Sequence, residues 1–136
     1  GLHCLDATDC YEGVRELLRG FSGKKMAVVS NKPVAFTRKI LDGLNLSQYF
    51  QALLGPESVR RQKPDPESCL KISSDFFVPP DKFCCVGDRR TDIESGRAAR
   101  MLTVGVTAGY GTEADLKDAG PDILISRTAD LEKFIE

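Results

Sequence analysis

From Tyr11 onward, stretches with a helical repeat of apolar residues alternate with short continuous apolar runs, the pattern of a layered α/β sheet. Val14, Leu17, Leu18 and Phe21 fall at i, i+3, i+4 and i+7 and predict a first helix with one apolar stripe, ended by Gly20 and Gly23. Met26 to Val29 reads as a buried strand. Ser30-Asn31 followed by Pro33 predicts a helix cap with proline in the first turn, and a helix to about Leu44 carrying Phe36, Ile40 and Leu44 on one face. A short strand at Ala52 to Leu54 leads into a polar loop from Gly55 to Pro66, whose two late prolines mark a turn before a helix from Glu67 to Phe76. Phe83 to Val86 is the next strand, stopping at Gly87-Asp88, and a helix begins near Asp92. Leu102 to Val106 is a further strand, followed by a helix after Thr112, a strand at Ile123 to Ile125 and an amphipathic helix from Thr128 to Ile135. The chain shows no repeats and no internal boundary, so it reads as a lead-in over residues 1–10 and one core domain over residues 11–136.

Composition narrows the class. With 136 residues, 41% hydrophobic and 29% charged, the chain has the make-up of one globular domain. The balance of 19 Lys+Arg against 20 Asp+Glu leaves a net charge of -1, which provides no general positive field for nucleic acid or an anionic membrane; any anion site must be local. No apolar run approaches the ~20 residues of a membrane helix, and the first residues lack a signal-peptide pattern, so a cytoplasmic setting is expected. Five cysteines without a C-x-x-C suggest reduced thiols, with Cys84 and Cys85 serving as small buried hydrophobes.

Open α/β sheets bind ligands beyond the carboxyl ends of their strands, and three polar clusters fall there. Ser30-Asn31-Lys32 follows the first strand; its hydroxyl, amide and backbone N–H groups at a helix start suit a phosphate, although Ser and Asn are also ordinary caps. Lys63, in Gln62-Lys63-Pro64-Asp65-Pro66, is either a solvated loop lysine or one held by a stiff turn to neutralise phosphoryl charge and restrain carboxylates. Asp88 and Asp92, in Gly87-Asp88-Arg89-Arg90-Thr91-Asp92, place two carboxylates four residues apart at a strand-to-helix turn, where they can face one magnesium ion or simply cap the helix.

In order and spacing these clusters resemble the second, third and fourth motifs of the haloacid dehalogenase (HAD) superfamily. The flanks Tyr11-Glu12-Gly13-Val14, Lys63-Pro64-Asp65-Pro66, Gly96-Arg97-Ala98-Ala99 and Gly105-Val106-Thr107-Ala108-Gly109-Tyr110-Gly111 look like its phosphoglycolate phosphatase branch. The resemblance implies a three-layer Rossmann-like core with a mainly parallel sheet, and a Mg2+-dependent phosphatase acting on a small phosphorylated metabolite through an aspartyl-phosphate. It implies that Ser30 and Asn31 contact the phosphoryl group, Lys63 stabilises its charge, Asp88 binds magnesium and Asp92 completes the acidic site. An anionic carboxylate attacking an anionic phosphoryl group needs such a metal and lysine to offset repulsion. Arg89 stands where many relatives have serine, which bears on the surroundings of the ion.

The family's first motif, a strand ending in Asp-x-Asp-Gly-Thr, does not occur in this sequence. Leu5-Asp6-Ala7-Thr8-Asp9 is the nearest stretch, but it lacks the spacing and the glycine, and a polar lead-in explains it without chemistry. The resemblance implies that the first-motif strand lies mid-sheet, between the strands ending at Ser30 and Gly87. Its place is expected to be filled by Leu2 to Leu5, closed by the flanking strands, or taken by a separate chain, with self-association as one route. The chain therefore reads as a phosphatase core fragment, inactive alone; the alternative is a non-catalytic module that binds magnesium or phosphate and serves regulation or assembly. A phosphoacceptor receiver would place its acidic residues before the hydroxyl and the lysine, the reverse of the order here, and no G-x-G-x-x-G follows the first strand to bind a dinucleotide.

Overall fold

The short runs rich in valine, leucine and isoleucine are too brief for helices and apolar on both faces, so they fold as strands covered on both sides. The computed structural model describes residues 18–21, 23–107, 112–127 and 130–131. Among these residues the strands are β1 (Ala27–Val29), β2 (Ala52–Leu54), β3 (Cys84–Gly87), β4 (Leu102–Val106) and β5 (Ile123–Ile125). The helices are α1 (Val34–Gly43), α2 (Glu67–Phe76), α3 (Arg90–Ala98) and α4 (Glu113–Ala119), and residues 18–20 are also helical. Short 3-10 turns at Ser47–Tyr49, Pro56–Ser58 and Pro80–Lys82 complete the connections.

All pairings are parallel, in the register Val28 to Leu53, Val86 to Val104 and Gly105 to Leu124. Among the described residues they form two sheets, β1-β2 and β3-β4-β5. The expectation that the flanking strands close up is therefore corrected: β1 and β3 do not pair. Leu2 to Leu5, Asp6 and the Tyr11 to Val14 stretch lie outside the described residues.

Helices cover both faces, giving three layers. On one face Val28 packs with Leu18, Leu41 and Leu46, while Val86, Val104 and Ile125 pack with Phe21 and Leu131. On the other, Val29 and Leu54 meet Ile72 and Phe76 of α2, and Cys85 meets Cys69 of α2 with Ala99 and Met101. Thus α2 straddles the two sheets on one side, and residues 18–21 straddle them on the other. Gly96 allows α3 its close approach, since a Cβ there would lie 2.8 Å from Cys85 Cβ and 2.9 Å from Thr103 Cγ2.

Two local expectations need correction. The buried face of α1 carries Thr37 and Leu41, whereas Phe36 is 51% exposed beneath the Lys32 ammonium, 5.4 Å from its ring centre. The N-cap of α1 is Pro33 itself rather than Ser30 or Asn31. The helix after β3 starts at Arg90, two residues before Asp92, and of the last predicted helix only residues 130–131 are described, in a 3-10 turn. The end of α2 is unusual: Phe77 takes the left-handed conformation (φ 56°) with its ring fully in solvent, a position that favours glycine.

Candidate active site

The carboxyl ends of β1 and β3 carry the predicted clusters, and one buried lysine joins them. At the end of β1 the Ser30 N–H still donates to Leu54 O at 3.0 Å, so the sheet fixes the residue as the chain leaves it. The Ser30 Oγ accepts from the Lys32 N–H at 3.0 Å, folding the loop back over a buried hydroxyl while Asn31 stays exposed. The amino end of α1 is satisfied from a distance: the Val34 N–H donates to both carboxylate oxygens of Glu57, at 3.2 and 3.3 Å. Gly55 makes room for this, because a Cβ there would lie 2.5 Å from Glu57 Oε1 and 2.8 Å from Lys32 O.

Lys63 is not a solvated loop lysine. It follows β2 through the Gly55 to Pro66 loop, precedes a cis proline at residue 64, and is 8% exposed. Its ammonium donates to Val29 O at 3.0 Å and to Asp92 Oδ1 at 2.7 Å, tying the last residue of β1 to the first turn of α3. The loop is held from above, where the buried Ser95 hydroxyl of α3 donates to Asp65 O at 2.9 Å, and Asp65 Oδ1 accepts from the Glu67 N–H that opens α2. Such a network keeps a buried charge compensated, since both partners are hydrogen-bonded as well as paired.

Asp88 and Asp92 are each 1% exposed. Asp92 has both oxygens engaged, one by Lys63 and the other by the Arg89 N–H at 3.2 Å. Gly87 is required for that geometry: a Cβ would sit 2.2 Å from Asp92 Cβ. The structure thus gives Asp92 an anchoring position, with Asp88 buried beside it where β3 ends. As donors, two buried carboxylates at one turn match magnesium, which takes one or two protein carboxylates and completes its shell with water and phosphate oxygens. Among the described residues no three His, Cys, Asp or Glu side chains converge as a metal cage.

Behind this site lie three free thiols. Burial pushes the Cys84 thiol up to about 11. Cys85 is pushed well up by its hydrogen bond with Cys69 and by burial, while the same hydrogen bond lowers Cys69 to about 6.

Of the residues singled out in the sequence, Lys63 and Asp92 touch, Ser30 follows the residue whose carbonyl Lys63 holds, and Asp88 shares the turn with Asp92. Sequence reasoning missed Glu57, Ser95 and Gly87. Glu57 carries no local signal, as its helix-capping partner is 23 residues away; Gly87, directly before Asp88, was a visible cue.

The Haloacid dehalogenase-like hydrolase family model matches residues 2–106. The chain belongs to this HAD family. It is 34% identical over 110 residues to the phosphoglycolate phosphatase of Salmonella paratyphi A, covering 81% of this chain and 44% of that protein. It is 32% identical over 122 residues to that of Pseudomonas putida KT2440, covering 88% and 45%. The crystal structure of a predicted phosphoglycolate phosphatase from Haemophilus somnus superposes with a TM-score of 0.86 at 28% identity, over 91% of this chain and 56% of that one. A HAD-superfamily hydrolase of subfamily IA from Geobacter sulfurreducens, at 24% identity and a TM-score of 0.77, shares the fold over 91% of this chain and 60% of its own. This HAD chain is therefore phosphoglycolate-phosphatase-like in sequence and fold, and it spans about half the length of the curated relatives it matches.

Proposed function

We propose that these residues form the phosphate- and magnesium-binding half of a phosphomonoester hydrolase acting on a small phosphorylated metabolite. The observation that carries the reading is the buried Lys63 ammonium, held between Val29 O and Asp92 Oδ1 with Ser30 and Asp88 at the adjoining strand ends. In this reading the Ser30 hydroxyl and the exposed Asn31 amide bind phosphoryl oxygens, and Lys63 offsets their charge. Asp88 would hold the metal, with Asp92 fixing the lysine and the turn. Magnesium, when bound, offsets charge on the phosphoryl oxygens and orients them. A phosphate approaching the amino end of α1 competes with the Glu57 carboxylate already seated there, because both are drawn to the same partly positive N–H groups.

The nucleophile in this reading is a first-motif carboxylate, and the sequence contains no Asp-x-Asp. The chain by itself is expected to be inactive. Phosphoglycolate is the substrate suggested by the relatives' names, and a cytoplasmic setting is supported by the free thiols of Cys69, Cys84 and Cys85. The test is Mg-dependent hydrolysis of p-nitrophenyl phosphate and phosphoglycolate by this sequence joined behind a segment carrying Asp-x-Asp, with Asp88→Asn as control. Turnover lost in the control supports the hydrolase. Magnesium binding without turnover in the joined protein would favour a module with a regulatory or assembly role.

A further inference from the structure

The outward side of α2 carries a protrusion and a recess on one line. Leu70, Ser74 and Phe77 fall at i, i+4 and i+7 and are all exposed, while Cys69, Ile72, Ser73 and Phe76 are buried on the other side. Phe77 is the protrusion. Its ring is 94% exposed, and the turn that holds it is closed by the Phe77 N–H to Ser74 O and the Val78 N–H to Ser73 O, both at 3.1 Å. The recess lies about 10 Å away by the rise of seven helical residues, an open groove of about 600 Å³ in which Leu70 and Pro66 stand among Arg60, Arg61 and Lys71. Its two acidic side chains are already engaged, Glu67 by the Arg60 N–H at 2.7 Å and Asp65 by the Glu67 N–H at 2.9 Å.

The charges on this side are matched in the same way. Lys71 and Asp75 lie one turn apart on one flank of the line and pair at 3.7 Å, with 43% and 51% of their side chains exposed. A two-fold axis perpendicular to the helix near Ser74 lays a second α2 alongside in the reverse direction and keeps like flanks together. It sets Lys71 of each copy beside Asp75 of the other, and Phe77 of each copy beside Leu70 of the other, since both pairs are centred on Ser73 and Ser74.

We propose that α2 is a self-complementary docking surface, on which a second copy of this chain packs antiparallel with each Phe77 ring seated in the Leu70 groove of the other copy. A second copy is the occupant that fits both features. An aromatic ring suits a groove of apolar and guanidinium groups, because arginine stacks on aromatic faces. The Lys71–Asp75 pair is matched by a surface carrying the same pair in reverse order, whereas a partner of a single charge would attract one member and repel the other. The contact closes on itself, because each copy contributes one ring and one groove, so a dimer forms and not a filament. It also gives a use to a solvent-facing phenylalanine at a left-handed position, where glycine would fit at less cost. Two anchors per copy make a contact of the small, transient class, below roughly 1,200 Å² in total, so association is expected between about 10 µM and about 1 mM. The inference rests on the surface of α2 and stands apart from the hydrolase reading, since no turnover enters its test.

The experiment is sedimentation equilibrium of the 136-residue chain across that range of concentration. The expected result is a monomer–dimer equilibrium that Phe77→Gly and Leu70→Gln each weaken by about tenfold or more, with unchanged far-UV circular dichroism. Lys71→Asp and Asp75→Lys should each weaken association severalfold, because like charges then face each other across the axis. An equimolar mixture of these two variants should restore it, since the mixed pair again sets unlike charges together. Three outcomes overturn the proposal. They are a monomer throughout the range, which leaves this face to a different partner; a dimer that Phe77→Gly and Leu70→Gln leave unchanged, which puts the contact elsewhere on the chain; and a mixture of the charge variants no better associated than either alone, which excludes the antiparallel arrangement.

Discussion

The two sheets divide the chemistry between them. The β1-β2 half buries the Ser30 hydroxyl, folded back by Lys32, but presents its other groups outward: an exposed amide at Asn31 and a helix end held by an exposed Glu57. The β3-β4-β5 half buries its carboxylates at Asp88 and Asp92 to 1% exposure. A charge so deeply buried must be compensated on the spot, whereas exposed polar groups can rely on water. The compensation for Asp92 comes from the loop that follows the other half. Lys63 is thus both the cross-link and the electrostatic guarantee of the site, and the contrast predicts that the buried half is the fragile one.

The largest effect is expected from Lys63→Met, which strands Asp92 as a buried unpaired charge and should cost about 3–5 kcal/mol in urea unfolding. Adding Asp92→Asn to that variant should recover part of the loss; a full additive loss would show that the two residues do not act as a pair. Gly87→Ala comes next, because its methyl would occupy the space of Asp92 Cβ, 2.2 Å away, and a cost of about 1–3 kcal/mol with weakened magnesium binding is expected by calorimetry. On the exposed half, Glu57→Gln removes the charge at the amino end of α1 and should cost about 0.3–1 kcal/mol while tightening inorganic phosphate binding, measured by phosphorus NMR. Phe77→Gly should raise stability by about 1 kcal/mol, since it relieves a left-handed, solvent-facing residue. A thiol comparison sharpens the same contrast behind the site: with Cys69 lowered to about 6 and Cys84 raised to about 11, thiolate absorbance gained near pH 6 should be lost in Cys69→Ser and kept in Cys84→Ser.

Much of the architecture was legible because its signals are local. Ala52 to Leu54, Glu67 to Phe76, Leu102 to Val106 and Ile123 to Ile125 have the bounds that apolar runs and flanking prolines predict. The face of α1 was misjudged for a physical reason: Phe36 is apolar, but its ring lies under the Lys32 ammonium at the surface, while Thr37 takes the buried position. The site residues were legible as types at strand ends, yet their division of labour was not. Nothing near Lys63 in the chain announces that its ammonium reaches Val29 O and Asp92, because those partners are 34 and 29 residues away. The same holds for Glu57, whose capping role exists only once the loop after β2 is laid beside α1.

The straddling helix has a mechanical consequence. On α2, Cys69 packs with the second sheet and Ile72 with the first, three residues and less than one turn apart. Both sheets are geared to the same tooth of one shaft. A rotation of α2 about its axis would carry both contacts the same way, so β1 and β3 would shift together. Helix α2 follows the Lys63 loop directly, so the strands and the lysine are moved by one lever.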